Sequence, residues 1–432
     1  MTRAVALAGL MATLVGARIA AAQDTVRVKG VYDAAIRPGI VVLPSPAELD
    51  SVRAIIARDL DYSDRFEVIS LPSAGEIAIA GTGTAINYPL YRSLRASLAV
   101  EVSGTRADVT IRLHDLLTET VRQETTLPLD VSGQGEARME VHRLSDQIVQ
   151  WATGRPGVAA TRLLFLNNGD KRIYRVDSDG YGIAPISPAN VLAVSPAWSP
   201  DGSRIAYTQL GGEGPGTIIL QSLGTGTRLV VPSTTTGQNI TPSFSPDGRR
   251  LVFSKMTEQA ANLYTVNVAD LCCVERLTTG RFAENLSPVY SPDGRRVVFV
   301  SNRSGSPQIY GMAADGTDQE LLVPFDYGSS GNSYAPDWTP DGTMIVFHRE
   351  YGGNPQIVTF DLATRTLRQR TSSGRNEDPS FAPDGRHVVF VSNRTGRGQL
   401  HVLDLETGRV RQVATSGVAR LPAWSRPLGR GR

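Results

Sequence analysis

Short apolar runs separated by turn residues fill the C-terminal two thirds of the chain. Each run of three or four hydrophobic residues follows an Asp-Gly pair, and each pair follows a segment of the form Pro-x-aromatic-(Ser/Thr/Ala)-Pro. The aspartates of these pairs lie 46, 46, 48 and 43 residues apart. Repeats of this length with several strands each are typical of propeller blades. The segments are 196–200 with Asp201, 242–246 with Asp247, 288–292 with Asp293, 336–340 with Asp341, 379–383 with Asp384, and a degenerate copy at 422–426.

Within each repeat the pattern predicts four antiparallel strands. The aromatic segment is the first strand, Asp-Gly is a turn, and an apolar run such as 297–300 is the second strand. Shorter segments on either side of another turn supply the third and fourth strands. Pro presets φ, Asp bonds to its own backbone and Gly accepts positive φ, so the repeated aspartates are interpreted as turn residues.

The repeats do not begin and end in phase. Residues 161–187 supply three strands with no aromatic strand before them, and the aromatic strand at 422–425 has no strand after it. Together they complete a sixth blade and remove two exposed sheet edges. This predicts an all-β six-bladed propeller. The Asp-Gly turns then share one face, where we expect the N-terminal domain to attach, while the loops that enter the aromatic strands surround the opposite mouth.

The first 150 residues combine helical and strand periodicity. Apolar spacing predicts helices over 46–60, 88–96 and 135–153, and strands over 40–43, 66–69, 98–102, 109–113 and 118–127. We therefore predict a smaller N-terminal α/β domain with a mixed sheet and two or three helices. The predicted boundaries are a signal peptide 1–22, the α/β domain 23–153, a linker 154–160, the propeller 161–427 and a tail 428–432.

The start of the chain is typical of a secreted protein. A basic residue, an apolar run and the Ala-x-Ala sequence 20–22 predict a cleaved signal peptide. No later segment reaches 18 apolar residues, so we expect a soluble mature protein without membrane insertion. Loss of Arg3 and Arg18 leaves 42 basic against 42 acidic residues, which argues against nucleic acid as the partner. The adjacent Cys272 and Cys273 are interpreted as a buried strand-end pair or a reducible bridge.

The sequence contains no recognisable catalytic constellation. It lacks a Gly-x-Ser-x-Gly nucleophile motif, and its five histidines have no metal-ligand spacing. A carboxylate pair for glycoside hydrolysis stays open, and carboxylates converging in the channel would support it. The segment 177–180 resembles the start of a Ca²⁺ loop but lacks the closing acidic residue, so we interpret it as a tight turn. We expect no enzymatic activity, no cofactor and no metal.

The repeats resemble those of the TolB family. The resemblance lies in Ser-Pro-Asp-Gly followed by an apolar run, and in Ser-Asn-Arg at 301–303 and 392–394. Arg37-Pro38, the run 40–44 and Arg65-Phe66 resemble the TolB N-terminal domain in order and spacing. The resemblance covers essentially the whole mature chain. Similar repeats occur in the propellers of prolyl oligopeptidase-like peptidases, so the alternative is the propeller domain of a secreted hydrolase or peptidase-like protein.

The resemblance implies a noncatalytic, monomeric periplasmic adaptor of the Tol-Pal system. Such a protein links TolA to the lipoprotein Pal and supports outer-membrane integrity and envelope constriction during cell division. The family binds Pal through exposed loops at the mouth. The matching residues here are Gln238, Asn239, Thr241, Glu284, Asn285, Leu286 and Ser287. Without the resemblance, these loops would be interpreted as plain solvated connections.

The resemblance also implies a partner for the start of the mature chain. In the family this segment binds TolA or packs back on the body, and here it corresponds to residues 24–35. Its candidate contact residues are Asp24, Val26, Val28 and Val31. The valines alternate partly as in a strand, so the segment could add to a sheet edge. The alternative is a disordered leader.

Overall fold

The N-terminal region folds as a mixed five-stranded sheet with helices. The computed structural model describes residues 37–71, 86–105, 107–128, 134–211, 214–232, 237–280, 282–325, 331–413, 415 and 417–428. The first elements are β1 Gly39–Val42, a 3-10 turn Ala47–Leu49, α1 Asp50–Tyr62, β2 Glu67–Val68, α2 Tyr88–Ser93, β3 Ala96–Gly104, β4 Asp108–Asp115, β5 Thr120–Pro128 and α3 Gln134–Thr153. The strand order is β2-β1-β3-β4-β5, parallel at β1 and antiparallel from β3 onward. The predicted mixed sheet with helices is confirmed.

The N-terminal region has its own apolar core. Ile40 and Ile111 of the sheet are fully buried against Ile56 of α1 and Ile148 of α3. Burying such a side chain stabilises the fold by about 1.5–3 kcal/mol. A second cluster, around Val41 and Tyr91, packs α2 onto the sheet. Both clusters contain only residues between 40 and 152.

The C-terminal repeats form six four-stranded antiparallel blades among the described residues. This confirms the predicted six-bladed propeller. Blade 6 contains the last strand, β29 Ala419–Trp424, together with β6, β7 and β8. Its strands are β6 Arg162–Asn167, β7 Arg172–Asp177 and β8 Ala184–Pro185, and those of blade 1 are β9 Leu192–Trp198, β10 Arg204–Leu210, β11 Thr217–Ser222 and β12 Arg228–Val230.

The remaining blades follow in chain order. Blade 2 is β13 Gln238–Phe244, β14 Arg250–Met256, β15 Ala261–Asn267 and β16 Glu275–Arg276. Blade 3 is β17 Asn285–Tyr290, β18 Arg296–Ser301, β19 Gln308–Ala313 and β20 Glu320–Leu321. Blade 4 is β21 Ser333–Trp338, β22 Met344–Tyr351, β23 Asn354–Asp361 and β24 Thr366–Gln369. Blade 5 is β25 Asn376–Phe381, β26 His387–Ser392, β27 Gln399–Asp404 and β28 Val410–Gln412, and β29 is Ala419–Trp424.

One aromatic residue in the second strand of every blade lies in the core. All six are at most 1 % exposed: Phe165, Tyr207, Phe253, Phe299, Phe347 and Phe390. Several stack on an aromatic residue of the third strand, as Phe253 does on Tyr264 with ring centroids 6.0 Å apart. Apolar clusters also span neighbouring blades, because Phe165 of blade 6 packs with Val389 of blade 5. Packing between blades therefore holds the ring together.

The ring closes by pairing of β29 with β6. Trp424 pairs with Leu163 and Ala419 with Asn167 in antiparallel register. The Trp424 indole N–H donates to Thr161 Oγ1 at 2.8 Å, and the indole is 7 % exposed. The predicted sharing of one blade between distant segments is confirmed.

The Asp-Gly pairs are turns, as predicted. In blade 2 the Asp247 carboxylate accepts the Ser245 hydroxyl at 2.6 Å and the Arg249 backbone N–H at 3.0 Å. The hydrogen bond from Ser245 is the main cause that holds the pKa of Asp247 below its usual value. Gly248 has φ +70°, and a Cβ there would meet Pro200 of the preceding blade at 3.6 Å. Glycine therefore satisfies both the turn and the contact between blades.

The N-terminal region attaches on the Asp-Gly face, as predicted. Asp64, which follows α1, contacts His387 beside the Asp-Gly turn of blade 5. The same carboxylate contacts Arg409 beside the outer turn of that blade. The described residues from Arg37 onward form one compact unit. The mouth lies at the opposite ends of the innermost strands.

The interpretation of the cysteines as a buried or bridged pair is wrong. Cys272 and Cys273 are free thiols in the turn between β15 and β16, and Cys273 is exposed. Cys273 has φ +59°, since the turn bends sharply before β16. Helices of the described residues include none with the length and apolar character needed to cross a membrane.

We predict that removal of β29 opens the ring. A chain that ends at Gly417 loses the partner of β6 and exposes two strand edges, which favours aggregation. Loss of the Trp424 side chain alone should lower the free energy of unfolding by about 3–5 kcal/mol. Urea unfolding and light scattering measure both effects, and a chain that ends at Leu428 is the matched control. A monomeric product that unfolds at the parent urea concentration would contradict the closure.

Candidate functional site

The innermost strands of the six blades enclose a central channel. Its cavity has a volume of about 630 Å³ and is lined by the repeated Pro-x-aromatic segments of all six blades. Each blade contributes prolines and the aromatic residue of its motif to the lining. Such a concave surface at the centre of a ring is a usual position for a binding site.

Each innermost strand contains one residue with left-handed backbone. It directly precedes the first proline of the motif, where an extended conformation is normally preferred, so the backbone is strained there. The pairing with the second strand shifts register at the same place in every blade. The six residues have φ between 48° and 53°: Ser195, Thr241, Ser287, Ala335, Asp378 and Leu421.

Hydrogen bonds between neighbouring blades accompany these strained residues. The Thr241 N–H donates to Thr208 Oγ1 of blade 1 at 3.1 Å, and Thr241 Oγ1 accepts the Ser287 N–H of blade 3 at 3.3 Å. The Leu421 N–H of blade 6 donates to Asp378 Oδ2 of blade 5 at 3.3 Å. The channel wall is therefore tied from blade to blade. These left-handed positions could not be predicted from the sequence, because ordinary residues occupy places that usually favour glycine.

The first group of predicted mouth residues lies in strand β13 instead of a loop. Gln238 is exposed, but Asn239 is 1 % exposed, and its amide has no hydrogen-bond partner among the described residues. Thr241 is partly buried, and its hydroxyl donates to Ser254 Oγ at 2.9 Å. The expectation of a uniformly exposed loop is wrong, because β13 pairs with β14 from Gln238 onward.

The second group shows the same division. Glu284 is exposed, whereas Asn285 is fully buried as the first residue of β17. Its side chain donates to Ala261 O at 2.9 Å and accepts Arg303 Nη2 at 2.8 Å, so it fixes the strand entry. Leu286 is partly buried against the core of blades 3 and 4, and Ser287 lines the channel.

Phe282 is a mouth residue that sequence reasoning missed. It lies two residues before Glu284 in the segment entering β17, and 87 % of it is exposed. Exposed aromatic side chains at a ring mouth favour contact with another macromolecule. The available signal was an aromatic residue outside the repeat positions.

Two carboxylates of the channel were also missed. Asp337 accepts the Phe381 N–H at 2.8 Å and the Ser380 hydroxyl at 3.0 Å, both from blade 5, and the Trp338 N–H at 2.9 Å. Burial outweighs these bonds and raises its pKa to about 6. Burial also raises the pKa of Asp378. Asp337 could have been noticed, because it is the only charged residue at the middle position of the motif.

A further polar cluster lies where the N-terminal region meets blade 6. The Gly180 N–H donates to Asp177 O at 2.8 Å, so residues 177–180 form the predicted tight turn. Asp179, His142 and Asp59 lie close enough to resemble a metal site. However, Arg58 and Arg138 both bond to Asp179, and these two positive charges disfavour a cation there.

The predicted TolA-contact residues Asp24, Val26, Val28 and Val31 lie outside the described residues. The structure therefore brings together only the mouth residues. Gln238, Phe282 and Glu284 are their exposed members, whereas Asn239 and Asn285 are buried at the start of β13 and β17.

Comparisons with known proteins relate the chain to one family. "Tol-Pal system protein TolB" of Methylococcus capsulatus is 32 % identical over 226 residues, which are 50 % of this chain and 52 % of the relative. The protein of the same name from Xanthomonas euvesicatoria is 30 % identical over 241 residues, 52 % of this chain and 54 % of the relative. The chain thus spans about half the length of the curated relatives it matches.

A solved structure extends the similarity beyond the propeller. TolB from Acinetobacter baumannii has 26 % sequence identity and a TM-score of 0.78, over 90 % of this chain and 97 % of that chain. The sequence model described as "TolB beta propeller domain" matches residues 149–428. This match covers more than half of the chain and includes every blade. The protein therefore belongs to the TolB β-propeller family.

Proposed function

We propose that this protein is the TolB component of a Tol-Pal system. In this proposal a signal peptide, residues 1–22, directs it to the periplasm and is then cleaved, and the mature protein acts as a noncatalytic adaptor. Its propeller mouth binds the lipoprotein Pal, and residues 24–35 bind TolA. Linking the two partners would support outer-membrane integrity and envelope constriction during cell division.

The observation that supports an adaptor is the separation of two surfaces on one body. The N-terminal region occupies the Asp-Gly face through Asp64, while Gln238, Phe282 and Glu284 are exposed at the other ends of the strands. A protein that joins two partners needs two sites that do not compete for space. The names of the curated relatives and of the solved TolB structure agree with this role.

The channel carboxylates give little support to the hydrolase alternative. Asp337 and Asp378 do line the channel, as that alternative requires. A general acid or base must, however, present an oxygen to the substrate. Both oxygens of Asp337 already accept donors from the blade walls. We therefore interpret this carboxylate as a tie between blades 4 and 5.

We predict that charge at the exposed mouth residues weakens Pal binding. The double substitution Gln238→Arg with Glu284→Arg places two bulky cations at the mouth without touching a buried side chain. If these residues are central to the interface, affinity for the soluble domain of Pal should fall by at least ~2 kcal/mol. Isothermal titration calorimetry measures this loss, and thermal unfolding should be nearly unchanged.

A matched control separates position from charge. Thr227→Arg with Glu275→Arg adds the same net charge at exposed residues beside the outer strands of blades 1 and 2. The control should bind Pal like the parent. Equal weakening by both doubles would show a general charge effect and remove the mouth from the proposed site. Substitution of Asn239 is unsuitable, because its burial couples binding to folding.

We predict that deletion of residues 24–35 abolishes TolA binding and changes Pal affinity several-fold. Three valines can contribute only about 1.5–3 kcal/mol each when buried, so a docked segment would be weak enough for a partner to displace. If both partners bias the same docked state, their coupling is reciprocal. The coupling is measured by titrating the protein with each partner in the presence and absence of the other and comparing the affinities. The triple substitution V26S/V28S/V31S keeps the length of the segment and should act like the deletion.

Two results would contradict this prediction. Full TolA binding by the deletion variant would place the TolA site elsewhere. An unchanged Pal affinity, with TolA binding lost, would make the segment a simple tether that does not influence the mouth.

A further inference from the structure

The contact between the N-terminal region and the propeller is built from buried charged groups. Asp64, Asp59 and Arg386 are each less than 5 % exposed, and His142 and His387 are fully buried. Apolar clusters do not bridge the contact among the described residues, since each belongs either to residues 40–152 or to residues from 158 onward. Interfaces between parts of a fold usually have an apolar centre and a polar rim. Here the polar groups occupy the centre.

The first charged cluster surrounds His387 of blade 5. Its Nδ1 lies 2.7 Å from Asp384 Oδ2, and its Nε2 lies 3.2 Å from Asp64 Oδ2. Two carboxylates facing the two ring nitrogens favour an imidazolium that donates at both ends. Burial alone would lower the pKa of His387, but the charges and hydrogen bonds of Asp384 and Asp64 raise it to about 9.

Arginines complete this cluster. Arg409 bonds to Asp64 Oδ1 at 2.9 Å and to Asp61 Oδ2 at 2.8 Å. Arg386 bonds to Asp404 at 2.6 Å and donates to the backbone oxygen of Asp64 at 2.9 Å. Propeller cations therefore converge on the short segment that follows α1.

The second charged cluster surrounds His142 of α3. Its Nδ1 lies 2.7 Å from Asp59 Oδ2 of α1, and its Nε2 lies 3.8 Å from Asp179 of the blade 6 turn. Arg58 and Arg138 also bond to Asp179. Burial would lower the pKa of His142, but the hydrogen bond and charge of Asp59, and then the charge of Asp179, raise it.

The connection along the chain is also polar. Asp146 of α3 accepts the N–H groups of Ala159 and Ala160 at 2.7 and 2.9 Å, just before β6. The Arg143 side chain donates to Leu428 O at 3.3 Å. These contacts depend on specific hydrogen-bond geometry and are lost when the two surfaces separate.

We propose that the His387 and His142 clusters form an electrostatic latch, which allows the N-terminal region to detach from the propeller while both remain folded. Each side keeps its own apolar core, and the charged groups named above are ones that water solvates well when the two sides separate. Removing one member of a buried charge cluster leaves its partners uncompensated, which strongly destabilises the docked arrangement. The latch does not depend on the identity of the partners proposed above.

The raised pKa of His387 sets the pH range of the latch. Below its unfolded value of about 6.5 the histidine is charged in the folded and unfolded states, and its contribution is fully present. That contribution is lost as the pH rises through about 9. Charge interactions with His387 hold the pKa of Asp384 at about 2 despite burial, so that carboxylate stays charged at neutral pH. The latch should hold near neutrality and loosen in alkali.

Hydrogen–deuterium exchange on the full mature chain tests the latch. In Asp64→Asn and His387→Gln, exchange of the Ala159 and Ala160 amides, which donate to Asp146 of α3, should rise at least about tenfold. Amides inside α1 and α3 should stay protected, because the N-terminal region remains folded when it detaches. Exchange in β14 and β18 of the distant blades should stay within about twofold of the parent. Arg409→Gln, at the half-exposed rim, provides a milder variant should the buried ones fail to fold.

The control and the alkaline comparison complete the test. Glu320→Gln removes an exposed pair with Arg296, whose atoms lie 2.6 Å apart in blade 3, and should leave the junction unchanged. After correction for intrinsic rates, protection of the junction in the parent should fall progressively between about pH 6.5 and about pH 9, the range between the unfolded and folded histidine pKa, and His387→Gln should lack this fall. Exchange that rises equally in both parts, or no change at the junction, would overturn the proposal.

Discussion

The pairing of β29 with β6 is the contact on which the rest of the propeller depends. It joins residues 263 positions apart, and it repeats a bond found inside other blades. Ser425 Oγ accepts the Arg162 N–H at 2.9 Å, as Ser245 Oγ accepts the Arg250 N–H at 2.9 Å within blade 2. The entropy cost of closing a loop rises only slowly with the length of the loop, so even this long closure is affordable. The ring therefore gains a sixth complete blade and loses both open edges.

Closure also fixes what happens in the channel. Every innermost strand presents a strained residue before its proline, and the side chains of one blade satisfy the N–H groups of the next. Such strain persists only where the surroundings hold it. The mouth residues are held in the same way, because the Asn285 side chain forms hydrogen bonds with Ala261 and Arg303 at the start of its strand. A partner at the mouth would meet a surface that is already ordered, which lowers the entropy cost of binding.

The fold could be predicted from the sequence because the residues of each repeat determine its own strands and turns. Pro, Asp and Gly specify the turn after each aromatic strand, and the unmatched strands at both ends of the repeat array require closure. The face on which the N-terminal region attaches followed from chain connectivity alone. Exposure could not be read in the same way. Asn239 and Asn285 are buried because of where strand pairing begins, and that register depends on β14 and β18.

The charged junction was likewise hidden, for a related reason. Asp64 and His387 are 323 positions apart, and nothing in either local sequence indicates the other. Turn chemistry correctly explained Asp384 as a turn former, yet it gave no hint that the same carboxylate also bonds to His387. Sequence patterns report the needs of each element, whereas contacts between elements arise only when the whole chain is folded.

The position of His387 has a consequence for a ring built from near-identical units. Three residues after the turn aspartate, the other complete blades have Arg204, Arg250, Arg296 and Met344, and blade 6 has Arg162 at the equivalent place. Only blade 5 has an imidazole there. Repetition makes the five Asp-Gly turns similar to one another as docking places, so a unique orientation requires that their symmetry be broken. His387 at this one repeat position supplies that distinction. Moving the histidine to the same position of another blade would test whether it determines which blade the N-terminal region docks on.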